Sequence, residues 1–439
     1  MQIDGTIATD LTRASATAKR SDTATEPSLT MSQVTRAMAA LLAKPRQEIN
    51  GKVFSTSELL GQNATRTSAE RAIALDIVAS VQQFVDAGAD AGTEAATEAN
   101  VGLTLLDGTN PLGSAPSVPV GMSTYPSKEK EQQLITKLAD VVGAQPSSIC
   151  VFPGTLAAIE AAAATFQTRS KGNTILYGTP GWAPFENHMR SKGYTMKGIA
   201  YEAKEGENDG GAAMLRDLKN QLDDTVCMVY LSSPQFPTGR SLRASAVTDF
   251  IKAVPVKTAV VIDQCYVEYA RQGAFDAIRD DGNLLARYPN VVVTRTLSKF
   301  YGLAATRIAY SVSNALVAAA FRQQITNPFL SDYMVDAALH TLGDEEYHRR
   351  VYQHNVRERL RVTSSVGEGA VVSGSDANFM LVRVRAGTTL NDIAGRLKKK
   401  GFVTQQSRLY FDDAYYLVAL QTKEADDAQI EALSAIEPK

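Results

Sequence analysis

The stretch Thr294-Arg-Thr-Leu-Ser-Lys-Phe-Tyr-Gly-Leu-Ala-Ala-Thr-Arg307 continues an apolar β-branched run, Val291-Val-Val-Thr294. That run predicts a buried strand. Lys299 therefore falls at a strand end, with Arg307 eight residues further on. An amine placed there can condense with an aldehyde, and a guanidinium at that distance can hold a phosphate through paired hydrogen bonds. The stretch suits a ligand that carries both groups. Taken alone, Lys299 would by default be an ordinary surface lysine.

Working outward, apolar strand runs alternate with helical segments. The strands are Ser148–Phe152, Thr174–Tyr177, Val226–Leu231, Ala259–Ile262 and Val291–Thr294, and helices are expected over Lys128–Val142 and Leu156–Phe166. Such alternation predicts an α/β fold, a mostly parallel sheet covered on both faces. After Asn327-Pro328 the chain reads as helical through Arg361. It then changes to an α+β pattern: strand Phe379–Val384, helix Thr389–Lys400, strand Tyr415–Leu420 and helix Ala425–Ile436. Upstream, Met1 to about Leu29 reads as a poorly ordered leader, rich in Thr, Ala, Ser and charge. Ser32–Ala43 and Ser68–Val85 have helical apolar spacing. Residues 87–99 form a Gly/Ala/Thr/Glu-rich linker, and Leu105–Pro116 is dense in turn residues. The expected division is an N-terminal extension over 1–100, a large domain over 126–327, and a small domain made of 101–125 and 328–439.

Composition excludes several classes. With 44% hydrophobic and 21% charged residues the chain reads as globular, and a net charge of −2 gives no pull toward nucleic acid or anionic membrane. No apolar run approaches the ~20 residues of a membrane helix, and no signal-peptide core opens the chain. Cys150, Cys227 and Cys265 are isolated, so neither a disulfide framework nor a zinc site is expected; they read as reduced, buried thiols of a cytoplasmic protein. His188, His340, His348 and His354 show no metal-ligand pattern, and His348 and His354 read as helix-surface residues.

Ligands of open α/β sheets bind beyond the carboxyl ends of the strands, and five motifs lie at such ends. Gly154-Thr155-Leu156 opens a helix, whose free N–H groups and dipole suit a phosphate. Trp182, the only tryptophan, follows Pro180-Gly181 and can stack on a flat ring or simply fill a core. Ser233-Pro-Gln-Phe-Pro-Thr-Gly239 is a turn-rich loop. Asp263 follows an apolar strand and, if buried, needs a cationic partner such as a protonated pyridine nitrogen; by itself it is also a plausible helix cap. Tyr266, three residues on, can hydrogen-bond a ring hydroxyl. Finally, Thr296, Ser298 and Arg307 can ligate phosphate around Lys299, whose amine pKa desolvation and nearby positive charge would lower.

This ordered set resembles the fold-type I enzymes dependent on pyridoxal phosphate, within the class I/II aminotransferase family, and is most similar to its histidinol-phosphate aminotransferase branch. Asn110-Pro-Leu-Gly113, Tyr125-Pro126, Asp263-x-x-Tyr266, Ser298-Lys-x-x-Gly-Leu-x-x-x-Arg307 and Asn378-Phe379 match the family's motifs from about Leu105 to the C-terminus. The resemblance implies a seven-stranded-type sheet in the large domain and pyridoxal 5'-phosphate as cofactor. It implies Lys299 as the Schiff-base lysine and proton shuttle, with Asp263 on the ring nitrogen, Tyr266 on the ring oxygen and Trp182 stacked on the ring. It implies Gly154, Thr155, Leu156, Thr296, Ser298 and Arg307 at the phosphate, Tyr125 reaching it across a homodimer interface, and Asn110 near the substrate.

Two positions depart from the family pattern. Phe236 stands where the family's Asn-Pro-Thr-Gly loop carries an asparagine to the ring hydroxyl. Leu417 stands where a late strand carries an arginine that clamps the substrate carboxylate, a change that is not neutral. Arg408, in the loop before, is the candidate replacement, and is as readily a solvated loop residue. The expected function is an aminotransferase-like enzyme acting on an amino acid or amine through a Lys299 aldimine and a quinonoid, in a specialised, secondary-metabolite pathway. The alternative is a lyase, decarboxylase, β- or γ-replacement enzyme or oxidase on the same scaffold. A non-enzymatic binding protein is opposed by the intact Lys299, Asp263 and Arg307. No metal is expected.

Overall fold

The computed structural model describes residues 46–49, 52–55, 104–106, 127–201, 209–279, 284–325, 329–367, 370–372, 374–404 and 408–434. The chain divides into two compact units, Met1–Thr97 and Glu98–Lys439. In the first, the described residues form one antiparallel hairpin, β1 (Arg46–Ile49) and β2 (Lys52–Ser55). The two amphipathic segments at Ser32–Ala43 and Ser68–Val85, the leader, the linker, Asn110-Pro-Leu-Gly113 and Tyr125-Pro126 lie outside the described residues.

The second unit opens with β3 (Thr104–Leu106) and α1 (Lys128–Val142). Ser127 caps α1 by accepting from the Lys130 N–H at 3.1 Å, and Gly143 ends it at φ 74°, the left-handed turn that glycine adopts without strain. There follow β4 (Ile149–Pro153), α2 (Thr155–Gln167), β5 (Thr174–Thr179), α3 (Ala183–Ser191), β6 (Thr195–Ala200), α4 (Ala212–Asn220), β7 (Val226–Ser232), α5 (Ala244–Ala253), β8 (Ala259–Asp263), α6 (Leu284–Arg287), β9 (Val291–Thr296), β10 (Ile308–Ser313) and α7 (Ala315–Gln324).

Seven of these strands form one sheet in the order β4-β10-β9-β8-β7-β5-β6. Only β10 runs against its neighbours, β4 and β9; the other pairings are parallel. Fully buried strands such as Val291–Thr296 require a cover on each face. One face is packed by α1, α4 and α5 through residues such as Leu134, Leu215 and Phe250 on Val229, Ile262 and Val293. The other is packed by α2, α3 and α7 through Ala162, Phe185 and Phe321 on Tyr177, Tyr230 and Val261.

The helical stretch after residue 328 is two helices, α8 (Asp332–Gly343) and α9 (Glu345–Val366). Asp344 separates them and accepts from the Tyr347 N–H at 2.8 Å, starting the second helix. The α+β end comprises β11 (Phe379–Arg383), α10 (Leu390–Lys399), β12 (Phe402–Thr404), β13 (Tyr415–Ala419) and α11 (Lys423–Ser434). β11 pairs antiparallel with β13, and β12 pairs parallel with β3. Period-2 alternation sends Met380, Val382, Tyr416 and Val418 to a core shared with α10 and α11, and Phe379, Leu381, Tyr415 and Leu417 to the opposite face.

The expectation of His348 as a surface residue is corrected. Its ring is half-buried against Phe300 and Tyr301, at centroid distances of 5.7 and 5.2 Å, with Nε2 at 2.8 Å from the Thr341 carbonyl oxygen. At the end of α8 that carbonyl also accepts from the Asp344 N–H at 3.2 Å, and the imidazole is its second partner. His354 likewise meets the Gln421 carbonyl at 2.8 Å. Cys150 and Cys227 are buried, whereas Cys265 is half-buried. Among the described residues no helix is long and apolar enough to cross a membrane, and no cluster of potential ligands could hold a metal.

Candidate active site

Strand direction decides what can meet. Because β10 is antiparallel to both β4 and β9, the carboxyl ends of β4, β9, β8, β7 and β5 lie along one edge of the sheet. Register sharpens this: Pro153 lies opposite Ile308, Thr296 opposite Ala309, and Ser232, Asp263 and Thr294 form one row. Gly154, Arg307 and the Ser298-Lys299 turn are thereby brought to one corner.

At that corner Gly154 has φ 95°, which a side chain would strain, and a Cβ built on it would lie 2.9 Å from Arg307 Nη2. The missing side chain leaves a cradle between the first N–H groups of α2 and the guanidinium. Arg307 is exposed, at φ 52°, with Nη1 at 3.4 Å from the Ala304 carbonyl oxygen. Thr155, half-buried, has Oγ1 3.3 Å from Cys265 Sγ, and Leu156 is half-buried beside it. Ser298 is buried, its N–H donating to Thr296 Oγ1 at 3.1 Å, while Lys299 is half-buried at the turn.

Asp263 closes β8 at 6% exposure. The Tyr230 hydroxyl donates to its Oδ2 at 2.7 Å and the Cys265 N–H to its Oδ1 at 3.2 Å. Burial dominates and holds the carboxyl pKa above its ordinary value, while these hydrogen bonds oppose it, so a nearby cation is what would favour the ionised form. An anion held in that setting matches a cationic ring nitrogen. The glycine cradle, the buried carboxylate and a lysine on the same edge together fit an aldehyde-bearing, phosphorylated pyridine.

The turn that carries Asp263 is braced from beneath. Arg295, almost fully buried, donates from Nη2 to Gln264 Oε1 at 3.2 Å and to Asp276 Oδ1 at 2.6 Å, and Gln264 Nε2 donates to the Phe275 carbonyl at 3.0 Å. Sequence reasoning missed Tyr230, Gln264 and Arg295. The available signal was a charged residue in a strand that is otherwise apolar or small, since a buried arginine must have partners.

Over the rim lies an aromatic wall. Phe236, half-buried, meets Phe379 edge-on at 5.4 Å and Tyr410 at 6.0 Å, and Tyr266 meets Phe379 at 4.9 Å. Leu417 is buried in the same cluster, opposite Leu381 on β11. Arg408 donates from Nη2 to the Gly181 carbonyl at 2.7 Å, with its guanidinium carbon 5.0 Å from the Tyr410 ring centre. Arg408 is therefore docked beside Trp182, not free in solvent. Trp182 is half-buried at the start of α3 and lines a pocket with Tyr201, Met214, Tyr230, Gln235 and Phe236. Tyr201 closes it by donating within reach of the carbonyls of Phe236, at 2.7 Å, and Pro180, at 2.9 Å.

Residues 120–425 match the family model described as aminotransferase class I and II. The chain belongs to the class I and II aminotransferase family. Members of this family are transferases dependent on pyridoxal phosphate, and that is the chemistry this chain's cofactor site serves. Histidinol-phosphate aminotransferase 2 of Hydrogenovibrio crunogenus is 31% identical over 287 residues, 63% of this chain and 73% of that protein. Among solved structures, histidinol-phosphate aminotransferase from Sinorhizobium meliloti, in complex with pyridoxal-5'-phosphate, superposes with a TM-score of 0.63 at 24% identity, covering 75% of this chain and 90% of that one. L-threonine-O-3-phosphate decarboxylase from Porphyromonas gingivalis superposes at 0.56 with 20% identity, covering 71% and 90%. The two likenesses show the fold, which those two proteins use under different names.

Proposed function

We propose that this chain is a pyridoxal-phosphate-dependent aminotransferase of an amino acid or amine, working as a homodimer in a specialised, secondary-metabolite pathway. The carrying observation is the convergence of Gly154, Asp263, Lys299 and Arg307 on one sheet edge. When bound, pyridoxal phosphate supplies an aldehyde and an electron-withdrawing ring. Gly154 leaves room for the phosphate while its own N–H donates to the Phe152 carbonyl at 2.8 Å; Thr155 and Leu156 offer backbone N–H groups, and Thr296, Ser298 and Arg307 offer side chains. Asp263 holds negative charge for the ring nitrogen, the Tyr266 hydroxyl donates to the ring oxygen, and Trp182 bounds one ring face. Lys299 would anchor the cofactor and, once displaced by the substrate amine, act as the base whose Nζ takes the proton from the substrate Cα and delivers it to the carbon that carried the cofactor aldehyde. Phe236, lying against the ring site, supplies no amide donor.

On the substrate side, Arg408 is the proposed anion anchor, because Leu417 puts an apolar side chain where a cation would otherwise face the wall. Asn110 on the substrate and the partner's Tyr125 at the phosphate complete the reading. Residues 126–327 are proposed as the cofactor domain, with 101–125 and 328–439 as the small domain; the pairing of β3 with β12 supports the latter. The test is reconstitution: added pyridoxal phosphate gives a visible absorbance band that Lys299→Ala lacks. No band with the wild-type chain would end this reading. A decarboxylase or lyase on the same scaffold is the second reading, favoured by Leu417 and Phe236 together. It is excluded when amino substrates convert the cofactor stably to pyridoxamine phosphate without loss of CO2 or of a side-chain fragment.

A further inference from the structure

We infer that Tyr230 is a positioning residue, whose hydroxyl keeps the Asp263 carboxylate charged and fixed for a cationic ring nitrogen. The inference rests on the pyridoxal phosphate reading above and goes beyond it. Tyr230 sits in β7 opposite Val261, and Asp263 lies two residues on from Val261, so both side chains leave the same sheet face. The hydroxyl reaches Asp263 Oδ2 at 2.7 Å in a buried setting. A phenol there can act in only one direction. Burial and the neighbouring carboxylate hold its pKa well above the ordinary tyrosine value, so the proton stays on the phenol and Tyr230 is a permanent donor.

The ring that carries the hydroxyl is itself immobilised. Phe185, fully buried on α3, stacks on it at 4.1 Å and 24°, and Tyr177 closes on Phe185 edge-on at 5.9 Å. The helix that supplies Phe185 also begins at Trp182. One element thus fixes both the aromatic bound of the ring site and the donor to its carboxylate. Hydrogen bonds to a charged group are stronger than neutral ones, and a buried carboxylate that loses a donor shifts toward its neutral form. Neutral Asp263 cannot pair with a ring cation.

Tyr230→Phe removes the hydroxyl and leaves the stack. The experiment compares dissociation constants for pyridoxal phosphate and for 1-deazapyridoxal phosphate, in which carbon replaces the ring nitrogen, with melting of the cofactor-free protein as the check on folding. Expected is a tenfold to roughly hundredfold weaker affinity for pyridoxal phosphate in the variant, and unchanged or tighter binding of the deaza analogue, which offers no cation to the carboxylate. Equal weakening of both ligands makes Tyr230 a packing residue and overturns the inference, as does no weakening of either. A second arm holds if the single variant folds poorly: in an Asp263→Asn background, adding Tyr230→Phe changes pyridoxal phosphate affinity less than about threefold, since no charge remains to be held; a larger change contradicts the inference. A wild-type chain that binds no pyridoxal phosphate fails the proposed function itself, whereas tight wild-type binding unaffected by Tyr230→Phe overturns the role of Tyr230 alone.

Discussion

Asp426 illustrates how one side chain can set a pH dependence. It lies fully buried in α11, where Oδ1 accepts from the Gln421 N–H at 2.9 Å and from Gln429 Nε2 at 3.1 Å, while Oδ2 has no partner. Burial pushes its pKa up to about 7 from 3.8. For an acid raised on folding, the unfolded chain releases the proton first, so stability falls as pH rises from about 4 to about 7 and the loss is complete above that. Asp426→Asn keeps an acceptor and removes the charge. It should stabilise the protein at pH 8, by at most about 4 kcal/mol given the rise from 3.8 to about 7, with the gain gone near pH 4; denaturant titration at the two pH values reads it. At the active site the same scale governs Arg408. Arg408→Gln should raise KM for an anionic amino substrate by about tenfold to a hundredfold, because the charged partner of the substrate is lost, and should change cofactor affinity less, through the lost bond to the Gly181 carbonyl beside Trp182; steady-state kinetics and cofactor titration check it. Residues of this kind were partly legible in sequence. Lys299, Arg307, Gly154 and Asp263 stand at strand ends, and their ordered co-occurrence, rather than any one position, singles them out. Tyr230 was not legible, because its role is a contact with a residue on another strand, and strand register does not follow from local pattern.

At the scale of elements, the helix start after β4 carries the phosphate reading. Gly154→Ala would force a side chain to φ 95° and to within 2.9 Å of the Arg307 guanidinium. The expected outcome is at least tenfold weaker binding of pyridoxal phosphate, measured by equilibrium dialysis, with the rest of α2 intact. Five strands of the main sheet could be read directly because they are continuous apolar runs buried on both faces. Two could not. β6 is an edge strand in which only Met196 is buried, so it lacks an apolar run. β10 follows Arg307 without a break, and its alternation of apolar and small polar residues, Ile308-Ala-Tyr-Ser-Val-Ser313, belongs to an antiparallel strand inserted between parallel ones. The helix break at Asp344 was also missed, since a capping aspartate between two good helical stretches leaves the apolar spacing nearly continuous.

At the scale of the whole molecule, polar contacts join the C-terminal α+β layer to the rim of the main sheet beside the aromatic wall. The Asp376 N–H donates to the Gly239 carbonyl at 2.7 Å, Arg271 Nη1 donates to the buried Asp376 Oδ1 at 2.7 Å, and Arg408 reaches the Gly181 carbonyl. Gly239 has φ 73°, and a Cβ there would lie 2.1 Å from Ser375 Oγ. Gly239→Ala should therefore destabilise the protein by more than about 2 kcal/mol and raise substrate KM by displacing the aromatic wall, as read by thermal melting and kinetics. The wall is where family membership stops deciding function: Phe236, Phe379, Tyr410 and Leu417 form an apolar cluster, with Arg408 at its border, on the side proposed for the substrate. The most direct measurement mixes the pyridoxal phosphate form with a panel of amino acids and amines in a single half-reaction and follows the cofactor spectrum with product analysis. Transamination predicts stable conversion to pyridoxamine phosphate with an equivalent of keto acid or aldehyde; release of CO2 or a side-chain fragment, with the starting spectrum restored, would contradict it.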